Sequence, residues 1–164
     1  MSGSDVDGSS RAAPSRRDLR ATGRCLCGAV TYAVRGPLRD ILICHCDDCR
    51  RWHGYACAMT ATAGSDLEID DSGALRWYTK PGPVPLPQRG LCARCGSSLF
   101  WRAPERPTVS IAAGTLDGHT GLRVVAHIFT SHMSDWDVVD DGLPRFEGEA
   151  PPSLSAVPRD PEGA

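Results

Sequence analysis

The sequence predicts an all-β domain that is held together by bound zinc and contains little helix. Three observations predict this class. Apolar residues occur in short alternating runs bounded by turn residues, which is typical of strands. Glycine and proline account for 17 and 13 of the 164 residues, and both disfavour helix interiors. Seven of the eight cysteines fall in closely spaced groups, which is typical of metal ligands.

Seven segments fit strands by alternation and by the turn residues between them. In chain order they are Ala29–Val34, Ile41–Cys46, Ala56–Thr62, Leu75–Thr79, Leu99–Trp101, Val109–Ala113 and Val124–Phe129. The stretch from Lys80 to Pro87 contains four prolines. It therefore lacks the backbone donors that a central strand or a helix interior needs.

Composition divides the chain into one domain and two arms. Residues 1–22 are rich in Ser, Gly, Asp and Arg, and residues 148–164 are rich in proline. Both segments have too few large aliphatic side chains to offset the entropy of ordering them. We expect a disordered N-terminal arm, a domain at 23–147 and a disordered Pro-rich tail.

Charge and hydropathy exclude several classes of function. With 18 basic and 20 acidic residues the net charge is −2, which argues against nucleic-acid binding through phosphate contacts. No apolar run approaches the ~20 residues that cross a bilayer, and the first residues lack the apolar core of a secretory signal. We therefore expect a cytoplasmic protein with no membrane partner, whose cysteines are reduced rather than paired in disulfides.

The first and last cysteine pairs together suit a structural zinc site. Cys25 and Cys27 alternate along an extended segment, so both sulfurs lie on one side of the chain. Cys92 and Cys95 flank a tight turn that is followed by Gly96. Two such pairs supply the four thiolates of a tetrahedral zinc site that closes the domain. Reduced, buried thiols are the alternative.

The middle cysteines offer only three thiolates. Cys44, Cys46 and Cys49 have no obvious fourth cysteine beside them. Three protein ligands leave a zinc position open for water or a substrate sulfur. Alternatively, a side chain fills the fourth position and the site is structural; the candidates are His45, His53, Asp47 and Cys57. On a strand, His45 points away from Cys44 and Cys46, which makes it the poorest of these candidates.

Other polar side chains are weaker candidates. We expect Cys57 to be a buried apolar residue. His53, His127 and His132 are candidate general acids or bases, and we select His53 as a catalytic residue together with Cys44, Cys46 and Cys49. Four arginines are candidates to flank the site, where they would suit the carboxylates of an anionic thiol, although a solvated surface position is the more common one for any single arginine. These are Arg50, Arg51, Arg76 and Arg102.

The motifs and their order resemble the glutathione-dependent formaldehyde-activating enzyme and centromere protein V family over residues 23–147. The matching stretches are GRCLCGAV at 23–30, CHCDDCRR at 44–51, CARCGSSL at 92–99, GTLD at 114–117, HIFTSHMSDW at 127–136 and LPRF at 143–146. The resemblance implies two antiparallel sheets of the β-tent type. It also implies a structural zinc on Cys25, Cys27, Cys92 and Cys95, and a catalytic zinc on Cys44, Cys46 and Cys49.

The resemblance further implies a zinc-dependent carbon–sulfur lyase. Its substrate would be a thiol and aldehyde adduct such as S-hydroxymethylglutathione, and its products glutathione, or a similar thiol, and formaldehyde. His53 or a water would remove the hydroxyl proton of the adduct. Two departures from the family pattern concern the substrate. Trp52 and His53 stand where relatives usually have smaller residues, and His132 and Met133 stand where relatives often have Ser and Lys.

Two other functions remain to be distinguished from the lyase. The domain could act without catalysis, as a thiol carrier or a protein-interaction module. A zinc-ribbon nucleic-acid binder is the third alternative, and it is disfavoured by the net charge of −2 and the 6% aromatic content.

Overall fold

Ten β-strands form two sheets in residues 19–158, the part of the chain that this computed structural model describes. The predicted all-β class with two sheets and little helix is confirmed. Within the same residues, no helix is long and apolar enough to cross a membrane. Residues 1–18 of the predicted N-terminal arm and residues 159–164 of the predicted tail lie outside the described part.

The smaller sheet has three antiparallel strands. They are β1 (Ala21–Arg24), β2 (Thr31–Val34) and β5 (Leu67–Asp70). β2 lies in the middle, between β1 and β5. Its Tyr32 and Val34 are buried while Thr31 is exposed, so the alternation that predicted this strand places one face against the core. β1 and β5 were not predicted, because four-residue strands with polar residues alternate only weakly.

The larger sheet has seven strands, and β10 lies at one edge. The strands are β3 (Ile41–Cys44), β4 (Cys57–Ala63), β6 (Leu75–Thr79), β7 (Gln88–Cys92), β8 (Ser98–Arg102), β9 (Thr108–Ala112) and β10 (Val124–Ile128). Their order is β10-β3-β4-β9-β8-β7-β6. β10 runs parallel to β3, with Ile128 beside Cys44. The larger sheet is therefore mixed, since the long connection between these strands allows a parallel pairing that a hairpin does not.

A short helix, α1 (Asp47–His53), follows β3 directly. The predicted strand Ile41–Cys46 therefore ends at Cys44. The side chain of Cys46 caps the helix by accepting a hydrogen bond from the backbone N–H of Cys49 at 3.4 Å. Two aspartates occupy the first turn, basic residues occupy the last, and Gly54 ends the helix in the left-handed conformation with φ 79°. Each of these features stabilises a helix terminus.

The main core lies between the two sheets. Its largest fully buried side chains include Phe100, Leu99 and Ile111, and it also contains Cys25 and Cys92. A second, smaller apolar cluster lies at the edge that β3 and β10 form. It contains Leu42, Ala126 and Ala150, with Leu154 packed against it.

The segment that follows residue 147 contributes to this second cluster. The chain forms one short helix there, α2 (Pro152–Ser155). Ala150 is 7% exposed, and Leu154 packs beside it. In residues 148–158 the structure thus differs from the expected disordered tail, because the few apolar residues of this segment find a complementary apolar edge. The domain limits of 23 and 147 remain predictions.

Two cysteine clusters and an adjoining cavity

The four-cysteine cluster connects the two sheets. Cys25 and Cys27 follow β1 of the smaller sheet, while Cys92 ends β7 of the larger sheet and Cys95 lies in the turn after it. The four sulfur atoms lie within 4.8 Å of one another. The turn closes through the N–H of Gly96, which donates to the carbonyl of Cys92 at 2.8 Å. The two predicted cysteine pairs therefore come together in one cluster.

The sulfur spacing matches a tetrahedral zinc site. Zinc–sulfur bonds of ~2.3 Å at tetrahedral angles place sulfurs about 3.8 Å apart. The Sγ atoms of Cys25 and Cys27 are 3.6 Å apart, and those of Cys27 and Cys92 are 3.8 Å apart. The hydroxyl of Ser97, 3.2 Å from the sulfur of Cys95, helps to lower the pKa of that thiol to about 5. At this position the thiolate is favoured, which is the form that binds metal.

The three-cysteine cluster lies where β3 passes into α1. Cys44 ends the strand, Cys46 caps the helix and Cys49 lies in its first turn. Their sulfurs lie within 4.8 Å of one another, and no fourth metal-ligating residue joins this group among residues 19–158. Hydrogen bonds from the thiols of Cys44 and Cys49 lower the pKa of Cys46 to about 2. The donor set thus suits a soft metal ion and leaves room for one further ligand.

Three of the four residues proposed as a fourth ligand are engaged elsewhere or buried outside the group, while the fourth, His53, lines the same cavity without joining the group. Both ring nitrogens of His45 are hydrogen bonded, and the carboxylate of Asp47 pairs with Arg50 at 2.7 Å. Cys57 is buried at 5% exposure in β4, opposite Cys44, and burial is the largest cause that raises its pKa to about 12. The expectation that Cys57 is a buried apolar residue agrees with this position.

A cavity of about 330 Å³ adjoins the three-cysteine cluster. Residues of β3, β4, β8 and β9 in the larger sheet form its floor. α1, the end of β10 and the segment after residue 147 form its walls. The lining includes Leu42, Cys44, Met59, Ala61, Ser98, Phe100, Thr108 and Ser110 from the sheet, Cys46, Cys49, Trp52 and His53 from α1, and Glu149, Ala150 and Ser155 from the C-terminal segment.

The four residues selected as catalytic, namely Cys44, Cys46, Cys49 and His53, therefore line one cavity. His53 lies at the end of α1, where burial is the main cause that lowers the pKa of its imidazole, helped by the charge of Arg89. The lowered pKa favours the neutral imidazole, which is the form that can accept a proton.

Trp52 is part of the cavity wall and is held firmly in place. Its indole N–H donates to the hydroxyl of Ser98 at 2.8 Å, and its ring stacks on Tyr78 with 5.3 Å between centroids. The large side chain at this position therefore narrows the cavity beside the three-cysteine cluster.

The arginines of the cavity are not those that the sequence suggested. Arg39, Arg89 and Arg106 line it. The four predicted arginines do not: Arg50 pairs with Asp47 and Arg102 lies over Trp77, with 3.9 Å from its guanidinium carbon to the ring centroid. Arg51 is exposed on α1, and Arg76 donates to backbone carbonyls of its own strand and turn. No local sequence signal marks the three lining arginines, because separate strands and loops bring them together.

A buried hydrogen-bond chain supports the strand that carries Cys44. The Nδ1 atom of His45 lies 2.8 Å from Asp137, and its Nε2 atom lies 2.8 Å from Nδ1 of His127. The Nε2 atom of His127 lies 2.8 Å from Asp141. Tyr55 donates to the second oxygen of Asp137 at 2.8 Å. Both ring nitrogens of His127 are thus engaged in this chain, and the residue does not line the cavity. Sequence reasoning missed both aspartates, which lie in loop sequence without a motif of their own.

His132, the third candidate histidine, lies apart from the cavity. It ends a turn of 3₁₀ helix (Thr130–His132), and its exposed Nδ1 atom is 3.4 Å from the carboxylate of Asp47.

These features define a β domain with two cysteine clusters. The four-cysteine cluster has a full set of tetrahedral ligands, and the three-cysteine cluster faces a cavity of small-molecule size. A model of the glutathione-dependent formaldehyde-activating enzyme family matches residues 20–132. The match spans more than half of the chain, and the chain belongs to this family. Its membership supports an enzymatic role related to glutathione and formaldehyde, with the two cysteine clusters as candidate zinc sites.

A solved structure has a similar fold. It is a crystal structure of a Rhodobacter sphaeroides protein from a structural genomics programme. The two chains are 20% identical with a TM-score of 0.51, and the similarity covers 76% of this chain and 98% of the other. At this identity the likeness shows the fold alone. Comparison with curated proteins gives no match.

Proposed function

We propose that the chain is a zinc-dependent carbon–sulfur lyase that acts on an adduct of a thiol and a small aldehyde, such as S-hydroxymethylglutathione. The observation that carries this proposal is the three-cysteine cluster in the wall of a cavity of about 330 Å³. Three donors without a fourth leave room for a substrate sulfur, and the cavity has the size of small-molecule sites. The cytoplasmic location expected from the sequence remains part of the proposal.

A zinc ion held by Cys44, Cys46 and Cys49 would supply a soft Lewis acid that stabilises a substrate thiolate. The side chains of the cavity would do the rest. The neutral imidazole of His53 would take the hydroxyl proton of the adduct. The carbon–oxygen double bond of the aldehyde then forms while the carbon–sulfur bond breaks, and the sulfur keeps the electron pair of the broken bond.

The walls of the cavity would hold the adduct in place and limit the access of water. Trp52 is fixed by its hydrogen bond to Ser98, so it offers a rigid apolar surface next to the cysteines. The segment after residue 147 closes another side through Ala150 and Ser155. Binding in a confined cavity fixes the orientation of the adduct, so that its sulfur is held in position to leave.

Cobalt(II) replacement tests this proposal, because thiolate charge-transfer bands report the number of bound sulfurs. We expect the bands of the three-cysteine cluster to change from three sulfurs to four when glutathione is added. Calorimetry in buffers of different ionisation enthalpy should count about one proton released per site, since a bound thiol loses its proton below its free pKa of ~8.5. Aldehyde exchange above the spontaneous rate should accompany both signals.

Two cysteine variants make this experiment specific. Cys44→Ser should abolish the spectral change, the proton release and the rate enhancement. Cys57→Ser is the matched control, since this cysteine lies directly opposite Cys44 but outside the cluster, and it should keep all three signals. Thiol binding without rate enhancement would support a carrier or interaction module instead of a lyase. Absence of any thiol response would show that a protein side chain completes the site.

A further inference from the structure

One section of the cavity is apolar and begins directly beside the three-cysteine cluster. Four lining residues form this apolar section, namely Leu42, Met59, Ile128 and Ala150. Ile128 of β10 pairs with Cys44 of β3. Leu42 lies two residues before Cys44 on the same strand and pairs with Met59 of β4. Because a strand rises about 3.3 Å per residue, the apolar section extends about 7 Å along the sheet from the level of Cys44.

The apolar section is backed by packed side chains and offers apolar surface to the cavity. Leu42 and Ala150 are buried in the second apolar cluster, and Ile128 packs against that cluster. Met59 and Ile128 are only half-buried, and both line the cavity. Covering apolar surface with an apolar group removes it from water and is favourable in proportion to the area covered. The section therefore favours a ligand that carries an apolar group beyond its sulfur.

The arginines of the cavity, in contrast, have charged neighbours within the protein. Each of the three lies close enough to an acidic side chain to interact with its charge. The pairs are Arg89 with Asp48 at 3.4 Å, Arg106 with Glu149 at 2.8 Å, and Arg39 with the charge of Asp40. A charged ligand would have to give up its water and compete with these partners. An aliphatic chain in the apolar section meets neither obstacle, so the cavity selects for apolar contact there.

Part of the apolar section comes from a segment outside the family match. That match covers residues 20–132. Ala150 comes later in the chain, as do Phe146 and Leu154, which pack against the same apolar cluster. The C-terminal segment therefore gives this chain a side of the cavity that the matched residues do not supply, and the family alone does not specify the group that binds there.

We propose that the apolar section binds an aliphatic chain on the thiol component of the substrate, so that the preferred substrates are adducts of aliphatic thiols with a small aldehyde. The proposal rests on the proposed function, since it places the substrate sulfur at the three-cysteine cluster. The chain runs from the sulfur past Ile128 to Leu42 and Met59. Met59 is a specificity-determining residue in it, which contacts the chain and takes no part in breaking the carbon–sulfur bond.

A series of thiols that differ only in chain length tests the apolar section. The probes are 2-mercaptoethanol, 4-mercaptobutan-1-ol and 6-mercaptohexan-1-ol, which all end in the same uncharged hydroxyl. They are titrated into the zinc-loaded protein by calorimetry. For the wild type we expect each added methylene to tighten binding by up to about fourfold, and the longest thiol to bind at least about tenfold more tightly than the shortest. Equal affinities across the series would overturn the proposal.

Matched substitutions locate the effect. Met59→Gln replaces the thioether by a polar side chain of similar size, and Met133→Gln makes the same change at a half-buried position outside the cavity. Met59→Gln should weaken the binding of 6-mercaptohexan-1-ol by about tenfold and leave that of 2-mercaptoethanol unchanged, since only the longer chain reaches this residue. Met59→Leu should keep the preference for the long thiol, and Met133→Gln should resemble the wild type. Equal weakening of all three thiols by Met59→Gln would show a merely structural residue and would overturn its role.

Methyl NMR with 1-hexanol separates a failure of the apolar section from a failure of the proposed function, because this ligand has no sulfur. The chain has three methionines, and the signal that is lost in Met59→Leu belongs to Met59. Hexanol should shift this signal in a saturable way and leave the signal of Met133 in place. If it does so while thiols give no cobalt response, the apolar section stands and the proposed function fails. A Met59 signal that stays in place, or an equal shift at Met133, would show that the apolar section binds no aliphatic chain.

Discussion

The two cysteine clusters share one ligand chemistry but have different surroundings. The four-cysteine cluster joins the two sheets, and Cys25 and Cys92, at 1% and 0% exposure, belong to the main core. The three-cysteine cluster lies between β3 and α1, at a cavity. The comparison teaches that donor number and surroundings, more than ligand type, separate a metal that holds a fold from one that a substrate can reach.

The contacts that hold the two clusters in position differ as well. Backbone turns and the core of the protein fix the four-cysteine cluster. The three-cysteine cluster depends instead on a helix cap at Cys46 and on the buried chain through His45 and Asp137. We therefore expect the first arrangement to resist unfolding, whereas the second orients three side chains toward an accessible cavity.

The strongest test of this comparison removes one ligand from each cluster. Cys92→Ser should give unfolded or insoluble protein. The apparent binding energy of a structural zinc, ~10–16 kcal/mol, is as large as the ~5–15 kcal/mol net stability of a domain. Cys46→Ser should remain folded and retain one zinc per chain. Circular dichroism and metal analysis of the purified variants measure both outcomes. Equal native signals from the two variants would show that the structural and open assignments are wrong.

A second test concerns the support of the three-cysteine cluster. Asp137→Ala removes the partner of Nδ1 of His45, whose side chain is 1% exposed. We expect the free energy of unfolding to fall by about 1–3 kcal/mol, since a buried polar group is left unpaired, and zinc to leave the three-cysteine cluster more readily on dialysis. Urea unfolding and zinc content measure these effects.

The matched control for this test is Tyr55→Phe. It removes an exposed hydrogen bond to the other oxygen of Asp137, so its stability should stay within about 0.5 kcal/mol of the wild type. If Asp137→Ala and Tyr55→Phe behaved alike, the buried chain would not support the cluster.

A third test probes the backbone that leads to Cys25. A methyl group at Gly23 would overlap the ring and hydroxyl of Tyr32. Gly23→Ala should therefore destabilise the fold by about 1–3 kcal/mol through overpacking. Gly114→Ala is the control, since its added Cβ meets nothing within 4 Å. Thermal unfolding of both variants decides the point, and a Gly23→Ala protein as stable as the wild type would show that this approach to the four-cysteine cluster is not tightly packed.

The smallest effect concerns the C-terminal segment. Leu154→Ala should reduce stability by about 1–2 kcal/mol, which is less than a fully buried leucine would lose, because Leu154 is only partly buried against the second apolar cluster. Leu26, which is 86% exposed between two cysteines of the four-cysteine cluster, provides the control. Leu26→Ala should change stability by less than about 0.5 kcal/mol. Denaturant unfolding of both variants tests whether the segment packs on the domain.

Much of the architecture was predictable because its signals are local. Alternation predicted β2, β3, β4, β6, β8, β9 and β10 but not β1, β5 or β7, and cysteine spacing predicted which sulfurs come together. Helix α1 was missed although its signals are present, with Asp47 and Asp48 at its start and Gly54 at its end. The strong strand signal of the preceding residues extended the prediction to Cys46. A short helix of seven residues has too few apolar positions to show a helical period.

The sequence by itself determined the family, the all-β class and the grouping of the cysteines, because spacings of two and three residues fix the geometry of a chain over a few ångströms. The tertiary structure alone decided which side chains surround the open cluster. Asp137 meets His45 across 92 positions of sequence, and Arg39 reaches Met59 across 20. Such contacts follow from the way strands and loops pack as a whole, since a side chain carries no local signal of the partner that folding will place beside it.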